Sequence, residues 1–225
     1  MTEQTKPDRP ELLGPAYRER PIVPQRTAII SVDMQNADCA AAKRRSSLEP
    51  NAEAAKYRYF HERLESLVIP NQQKIHAAAR GIGVENIFVI IESLTRDGRD
   101  RGIDHKASFI NNPRGSWEAQ VIDELAPAED DIIIRKTASG PFGTTNIDYV
   151  LRNMGLEHLV VFGVLSDQCV ENTVRGAADH GYLVTLVPDA CATYTAERQE
   201  FSERAIKGYC RRRSTAELLA ELASF

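Results

Sequence analysis

Three side chains, Asp33, Lys136 and Cys169, set the chemistry that this 225-residue chain could perform. Each follows or ends a short apolar run. Thr27-Ala28-Ile29-Ile30-Ser31-Val32 precedes Asp33, Asp131-Ile132-Ile133-Ile134-Arg135 precedes Lys136, and Val160-Val161-Phe162-Gly163-Val164 comes shortly before Cys169. A thiol that opens a helix lies among N–H groups with no partner and at the positive end of the helix dipole, which favours the reactive thiolate. A neighbouring ammonium adds to that effect and predicts a cysteine largely ionised near neutral pH. A carboxylate within hydrogen-bond reach accepts a proton and passes it to a leaving group. This trio suits acyl transfer from an amide to water through a thioester, with backbone N–H groups of the turn Val164 to Cys169 meeting the oxyanion. The plain alternatives are a buried cysteine acting as a small apolar side chain and an aspartate acting as a helix or turn cap.

Groups so far apart along the chain meet only if an ordered scaffold delivers them. Strand-like runs at 27–32, 87–91, 131–136, 159–162 and 183–187 alternate with helical patterns at 51–80, 117–125, 146–154, 169–180, 197–209 and 215–222. A short edge strand fits between the last two helices. Such alternation predicts the α/β class, a three-layer α/β/α arrangement around a mostly parallel, doubly wound sheet of about six strands. Ligands bind such sheets beyond the carboxyl ends of the strands, and Asp33, Lys136 and Cys169 all fall there, on strands that pack about 5 Å apart. Within 51–80, Pro70 interrupts the pattern, giving two helices or one kinked helix.

Residues 1–25 hold five prolines and no apolar period, which reads as an extended N-terminal arm packing on the body or on a neighbouring subunit; residues 26–225 form a single domain. The polar stretch Thr95 to Pro113 is long for a loop and either covers an active site or contacts another subunit. His105 and Arg96 there, and Gln35, Glu92, Trp117 and Phe142 elsewhere, are candidates to contact substrate; Trp117 otherwise anchors its short helix. His61, His76, His158 and His180 read as surface or capping residues.

A net charge of -4 argues against nucleic acid or an anionic membrane as partner. The clusters Lys43-Arg44-Arg45 and Arg211-Arg212-Arg213 read as solvated surface or subunit contact. Four cysteines without a Cys-x-x-Cys pair suggest free thiols in a reducing compartment, hence the cytoplasm. Cys191, expected just after the fifth strand near the same rim, is the second thiol of interest. No Gly-x-Gly-x-x-Gly or phosphate loop follows the first strand, so no nucleotide cofactor is expected and a flavodoxin-like electron carrier is disfavoured. The arm and the helical insertion over 51–68 point to a homo-oligomer.

Asp33, Lys136 and Cys169, in the contexts Val-Asp-Met-Gln and Gly-Val-x-x-Asp-Gln-Cys-Val, resemble the isochorismatase-like cysteine hydrolases, from about Thr27 to the C-terminus. That family includes nicotinamidases, N-carbamoylsarcosine amidase and ureidoacrylate amidohydrolase. The resemblance implies Cys169 as nucleophile, Asp33 as general base and Lys136 as the group that orients both and stabilises the anion. It also implies a non-proline cis peptide at Val164-Leu165, aiming the N–H groups of Leu165 and Cys169 into an oxyanion hole. Asp33-Met34-Gln35-Asn36-Ala37, Gly115-Ser116-Trp117 and Ser139-Gly140-x-Phe142 are most similar to the ureidoacrylate amidohydrolase branch. After the second strand that branch carries an Asn and a Trp, where this chain has Glu92-Ser93-Leu94-Thr95-Arg96, so the resemblance implies the reaction and leaves the substrate open. The Asp-x-His motif by which nicotinamidases bind metal is missing, so no catalytic metal is expected. Cys169 favours amide hydrolysis over the vinyl-ether cleavage of isochorismatases proper. The expected activity is a cofactor-independent amidohydrolase acting on a small amide or ureide. The alternative is a binding or assembly module of the same fold with a vestigial triad.

Overall fold

The computed structural model describes residues 14–40 and 52–225. Six parallel strands form one sheet in the order β3-β2-β1-β4-β5-β6: β1 (Thr27–Val32), β2 (Glu85–Ile91), β3 (Ile132–Lys136), β4 (His158–Val164), β5 (Leu183–Ala192) and β6 (Arg211–Arg212). The two strands flanking β1 come from opposite winding directions, so the switch point of the sheet lies at its carboxyl end. β1 is buried throughout, and β2 is buried save its first residue, as the continuous apolar runs require of strands covered on both faces. Edge strand β3 alternates instead, with Ile134 and Lys136 facing inward.

The helices are α1 (Ala52–Arg63), α2 (Ile69–Gly81), α3 (Ile103–Ala107), α4 (Ile147–Asn153), α5 (Glu171–Asp179), α6 (Ala196–Ala205) and α7 (Thr215–Leu222). α2 lies over the face bearing Ser31, Phe88 and Phe162: Gln72 meets Ser31, and the His76 ring stacks on Phe88 and stands edge-on to Phe162. Phe142, ahead of α4, fills the space over Gly176 of α5, and Tyr182, after α5, donates to Asp148 Oδ1 of α4 at 2.8 Å. A π-turn, Leu64–Val68, joins α1 to α2, and Pro70 stands in the first turn of α2. Proline lacks the N–H that would continue the i to i−4 ladder, so the irregularity falls just before it.

Several expectations need correction. The 117–125 segment is not a helix. Backbone bonds from Asn36 to Gln120, Ala37 to Glu118 and Ile122 to Met34 draw it alongside the residues after β1, leaving only a 3₁₀ turn at Asp123–Leu125. β5 does not end at Val187. It runs through a bulge at Pro188-Asp189, whose carbonyls accept from Arg63 and Asn71, and resumes to pair Cys191 with Gly163. Cys191 therefore lies within the strand, its thiol donating to Val187 O at 3.2 Å. His76 and His158 are buried, not surface, with His158 Nε2 2.7 Å from Thr185 Oγ1. Arg211 is buried too and forks onto Glu221 at 2.9 and 3.0 Å. Lys43-Arg44-Arg45 lie outside the described residues. Within the proline-rich arm, Pro15–Glu19 and Pro24–Arg26 form 3₁₀ turns, and buried Ile22 donates its N–H to Glu221.

Gly163, one step before the end of β4, has φ +132°, and a Cβ there would stand 2.1 Å from the carbonyl oxygen of Val32. The obstacle is the backbone of the central strand, which cannot yield as a flexible side chain would. Gly163→Ala is therefore expected to cost about 3 kcal/mol, the upper end of overpacking. An unchanged urea midpoint would contradict the close approach of β4 to β1.

Candidate active site

Asp33 directly follows β1. Its N–H continues the ladder to Val89 O at 2.8 Å, and its own φ of +51° turns the chain out of the sheet, so that Gln35 N–H reaches Asp33 O at 2.7 Å. Left-handed backbone is tolerated by aspartate better than by most residues. Lys136 ends β3, two strand spacings or roughly 10 Å away across β2. A long unbranched stem closes that distance beneath β2: Lys136 Nζ donates to Asp33 Oδ2 at 2.8 Å and reaches Cys169 Sγ at 3.5 Å. Cys169 stands in a π-turn, Ser166–Val170, that leads from β4 into α5. The peptide bond preceding Leu165 is cis, and the Leu165 carbonyl accepts from Gln168 and Val170.

The π-turn is braced from the far side. Asp167 accepts from Thr193 at 2.6 Å and from Arg198 Nε at 2.6 Å, while Ser166 donates to Gln199 and its carbonyl accepts from Ser202. Four contacts to α6 and the end of β5 thus fix the residues that carry the sulfur. These positioning residues were not singled out from the sequence, since their partners lie about 30 positions away and carry no local pattern.

Electrostatics correct one expectation. Burial, followed by the Asp33 carboxylate, pushes the Cys169 thiol well above its ordinary value, and Lys136 only partly opposes them. The lysine is already committed to Asp33, so a thiolate would be a second anion sharing one buried cation. This arrangement favours the thiol form of Cys169 over the thiolate. Burial also raises Asp33, against the pull of Lys136. For Lys136, burial favours the neutral amine, but Asp33 and Cys169 outweigh it and hold the ammonium above its ordinary value. Asp33 Oδ1 has no hydrogen-bond partner among the described residues, while the Asp33 carboxylate as a whole is close enough to the Cys169 thiol to interact with it.

Asp33 and Cys169 face a cavity of about 550 Å³ whose lining also includes Ile91, Leu165, His105 and Trp117, while Lys136 lies buried outside that lining. The loop expected over 95–113 supplies much of the wall, including Phe109, Asn111 and Asn112. Of the six candidate contacts, His105 and Trp117 line this cavity. Gln35 does not: it is fully buried, with its amide donating to Ile91 O and Ala119 O and accepting from Ile91 N–H, so it ties β1 to β2. Glu92 binds Gly115 N–H and Arg135 and faces a separate depression at the β3 edge. Phe142 packs on α5 and the Tyr182 ring, and Arg96 is exposed outside the lining. Cys191 is apart from the cavity, and burial pushes its thiol up to about 12. Among the described residues, no three His, Cys, Asp or Glu side chains gather as a metal-binding group, and no helix is long and apolar enough to cross a membrane.

The profile described as Isochorismatase domain matches residues 27–217. Ureidoacrylate amidohydrolase RutB of Serratia proteamaculans is 30% identical over 202 residues, covering 83% of this chain and 75% of that protein. RutB of Pantoea ananatis is 30% identical over 213 residues, covering 88% and 77%. Among solved structures, a cysteine hydrolase from Pseudomonas syringae superposes with a TM-score of 0.75 at 27% identity, covering 91% of this chain and 96% of that one. N-carbamoylsarcosine amidase from Thermoplasma acidophilum shares the fold, with a TM-score of 0.64 at 22% identity and coverage of 85% and 98%.

Proposed function

Because the chain belongs to the isochorismatase family, we propose that it is a cysteine amidohydrolase that cleaves a C–N bond of a small carboxamide or ureido compound through a thioester. The observation that carries this reading is the buried ammonium of Lys136 in contact with both the Asp33 carboxylate and the Cys169 sulfur, the two groups that line the cavity. The ureidoacrylate amidohydrolases to which this chain is similar are named for a substrate that carries a ureido group, in keeping with this substrate class.

In the reaction, Cys169 Sγ attacks the carbonyl carbon while its proton passes to Asp33. An S–C bond forms, and the carbonyl oxygen becomes an oxyanion directed at the N–H groups of Leu165 and Cys169. Collapse breaks the C–N bond as Asp33 returns the proton to the leaving nitrogen. Asp33 next takes a proton from water, whose oxygen attacks the thioester carbonyl. The C–S bond breaks, and the departing sulfur recovers that proton. Lys136 keeps Asp33 and Cys169 in register and balances the negative charge as it moves between them. Four free cysteines, all buried, fit a reducing compartment, and the proposal extends to a cytoplasmic enzyme assembled from identical subunits.

The test is ammonia release over a panel of small amides and ureides, followed by a pH profile on the best substrate. The base must be ionised, and burial raises Asp33 above its ordinary 3.8. Activity is therefore present at neutral pH and falls as acid protonates Asp33, with the acid limb of kcat/KM displaced above pH 3.8. A limb at or below that value would contradict Asp33 as the buried base, and failure of every amide and ureide to react would contradict the proposed class.

A further inference from the structure

His105 is 1% exposed, yet neither ring nitrogen has a hydrogen-bond partner among the described residues. Buried polar atoms are almost always paired, and leaving one unpaired costs about 1–3 kcal/mol. His105 is among the residues that line the cavity holding Cys169. It comes from α3, a wall separate from the 165–170 turn, and its helix is held by Gly102 N–H on Thr137 O and by Ile110 N–H on His105 O, at 3.0 and 2.9 Å. We infer that His105 is a substrate-recognising residue, pairing through a ring nitrogen with a second polar group of the substrate, away from the scissile bond.

The inference rests on the amidohydrolase reading and narrows its substrate class. There, the scissile carbonyl is directed at the Leu165 and Cys169 N–H groups and the leaving nitrogen at Asp33, which leaves His105 for another part of the molecule. Burial, and after it the Lys136 charge, lower His105 from its ordinary value, with Asp104 and Asp33 opposing and Arg101 adding to the effect. An uncharged imidazole offers one donor and one acceptor, so it suits a neutral partner such as a second carbonyl or amide N–H. Phe109 and Trp117, 91% and 54% exposed, border the same cavity and offer aromatic surface to a flat molecule. Phe109 holds φ at +58°, a left-handed backbone unusual for a bulky residue and of the kind that surrounding structure retains at ligand sites. The class indicated is a small compound in which the scissile amide or ureide, itself a flat group, is accompanied by a second carbonyl or amide group.

Two matched probes test this: malonamide, which carries the second group, and butyramide, which lacks it. For the native protein, kcat/KM is expected to favour malonamide. In His105→Phe, and less severely in His105→Asn, the loss on malonamide should exceed that on butyramide by on the order of 30-fold, mainly through KM, as expected for one lost hydrogen bond in a closed site. Equal losses on both probes, or no native preference, would overturn the inference. Should neither probe be hydrolysed, the comparison is read as binding to Cys169→Ala by calorimetry. Malonamide affinity that falls with His105→Phe then supports recognition by His105 independently of the amidohydrolase reading, whereas affinity that is absent or unchanged overturns it. Asn replaces the imidazole with another donor and acceptor, so it keeps the comparison open if Phe prevents folding.

Discussion

Cys169→Ala is expected to abolish amide hydrolysis, with kcat falling by on the order of 10⁴-fold or more on the best substrate, as when a covalent nucleophile is removed from a group of residues that acts as a unit. The stability should change little, because the sulfur makes no strong bond that the fold requires: its polar neighbour, Lys136, keeps Asp33 at 2.8 Å. Cys169→Ser is the sharper comparison. It preserves shape, but a hydroxyl in the same buried place is a far weaker acid than a thiol, so Asp33 can no longer take its proton readily and activity should fall almost as far. If the Ala variant retained native turnover, catalysis would have to proceed without a covalent bond to residue 169, and Cys169 would not be the nucleophile; a vestigial triad on a binding module instead predicts no turnover in the native protein itself. Ligand binding in the Ala variant together with lost turnover would place the defect in the chemical step.

The second large effect is on stability. Lys136 and Asp33 are almost wholly buried, and each is the other's counter-charge. Lys136→Met keeps the stem and deletes the ammonium, stranding a carboxylate; breaking a buried pair this way costs about 3–5 kcal/mol. The pH dependence has a definite sign. Burial already raises folded Asp33, and loss of Lys136 removes an opposing pull, so the folded state holds its proton more tightly than the unfolded chain does. The penalty is therefore absent below the unfolded value of about 3.9 and grows as pH rises through the folded one. Urea unfolding at pH 4 and pH 7 should show a deficit mainly at the higher pH. Asp33→Asn added to Lys136→Met removes both charges and should recover most of the stability at pH 7 while leaving the protein inactive. A double variant as unstable as the single one would show that the pair is not the source of the cost.

The scaffold and the convergence of Asp33, Lys136 and Cys169 are legible because their signals are local. A strand buried on both faces is a continuous apolar run, and a polar residue that ends such a run must sit at the strand's rim; Asp33 and Lys136 were found this way. Long-range pairing was less visible. The 117–125 segment has helix-compatible residues, but bonds to 34–37 override that preference. Gln35 and Glu92 stand at the right rim and looked like contacts, yet their polar atoms are spent on the backbone of β2, Gly115 and Arg135. A sequence does not show which partner a polar group will find. The electrostatics of Cys169 are hidden for a related reason: a lysine alone favours the thiolate, but this lysine is shared with a closer carboxylate. Burial of His105 is equally hidden, since the residues leading up to it, 95–104, are mostly polar.

Intact-mass analysis of the enzyme, quenched in acid within milliseconds of mixing with its best amide substrate, tests the thioester most directly. The proposed mechanism predicts an added mass equal to the acyl portion of the substrate, located on the peptide containing Cys169, removed by hydroxylamine and absent from Cys169→Ala. Rapid turnover with no adduct at any quench time, or an adduct on another residue, would contradict it.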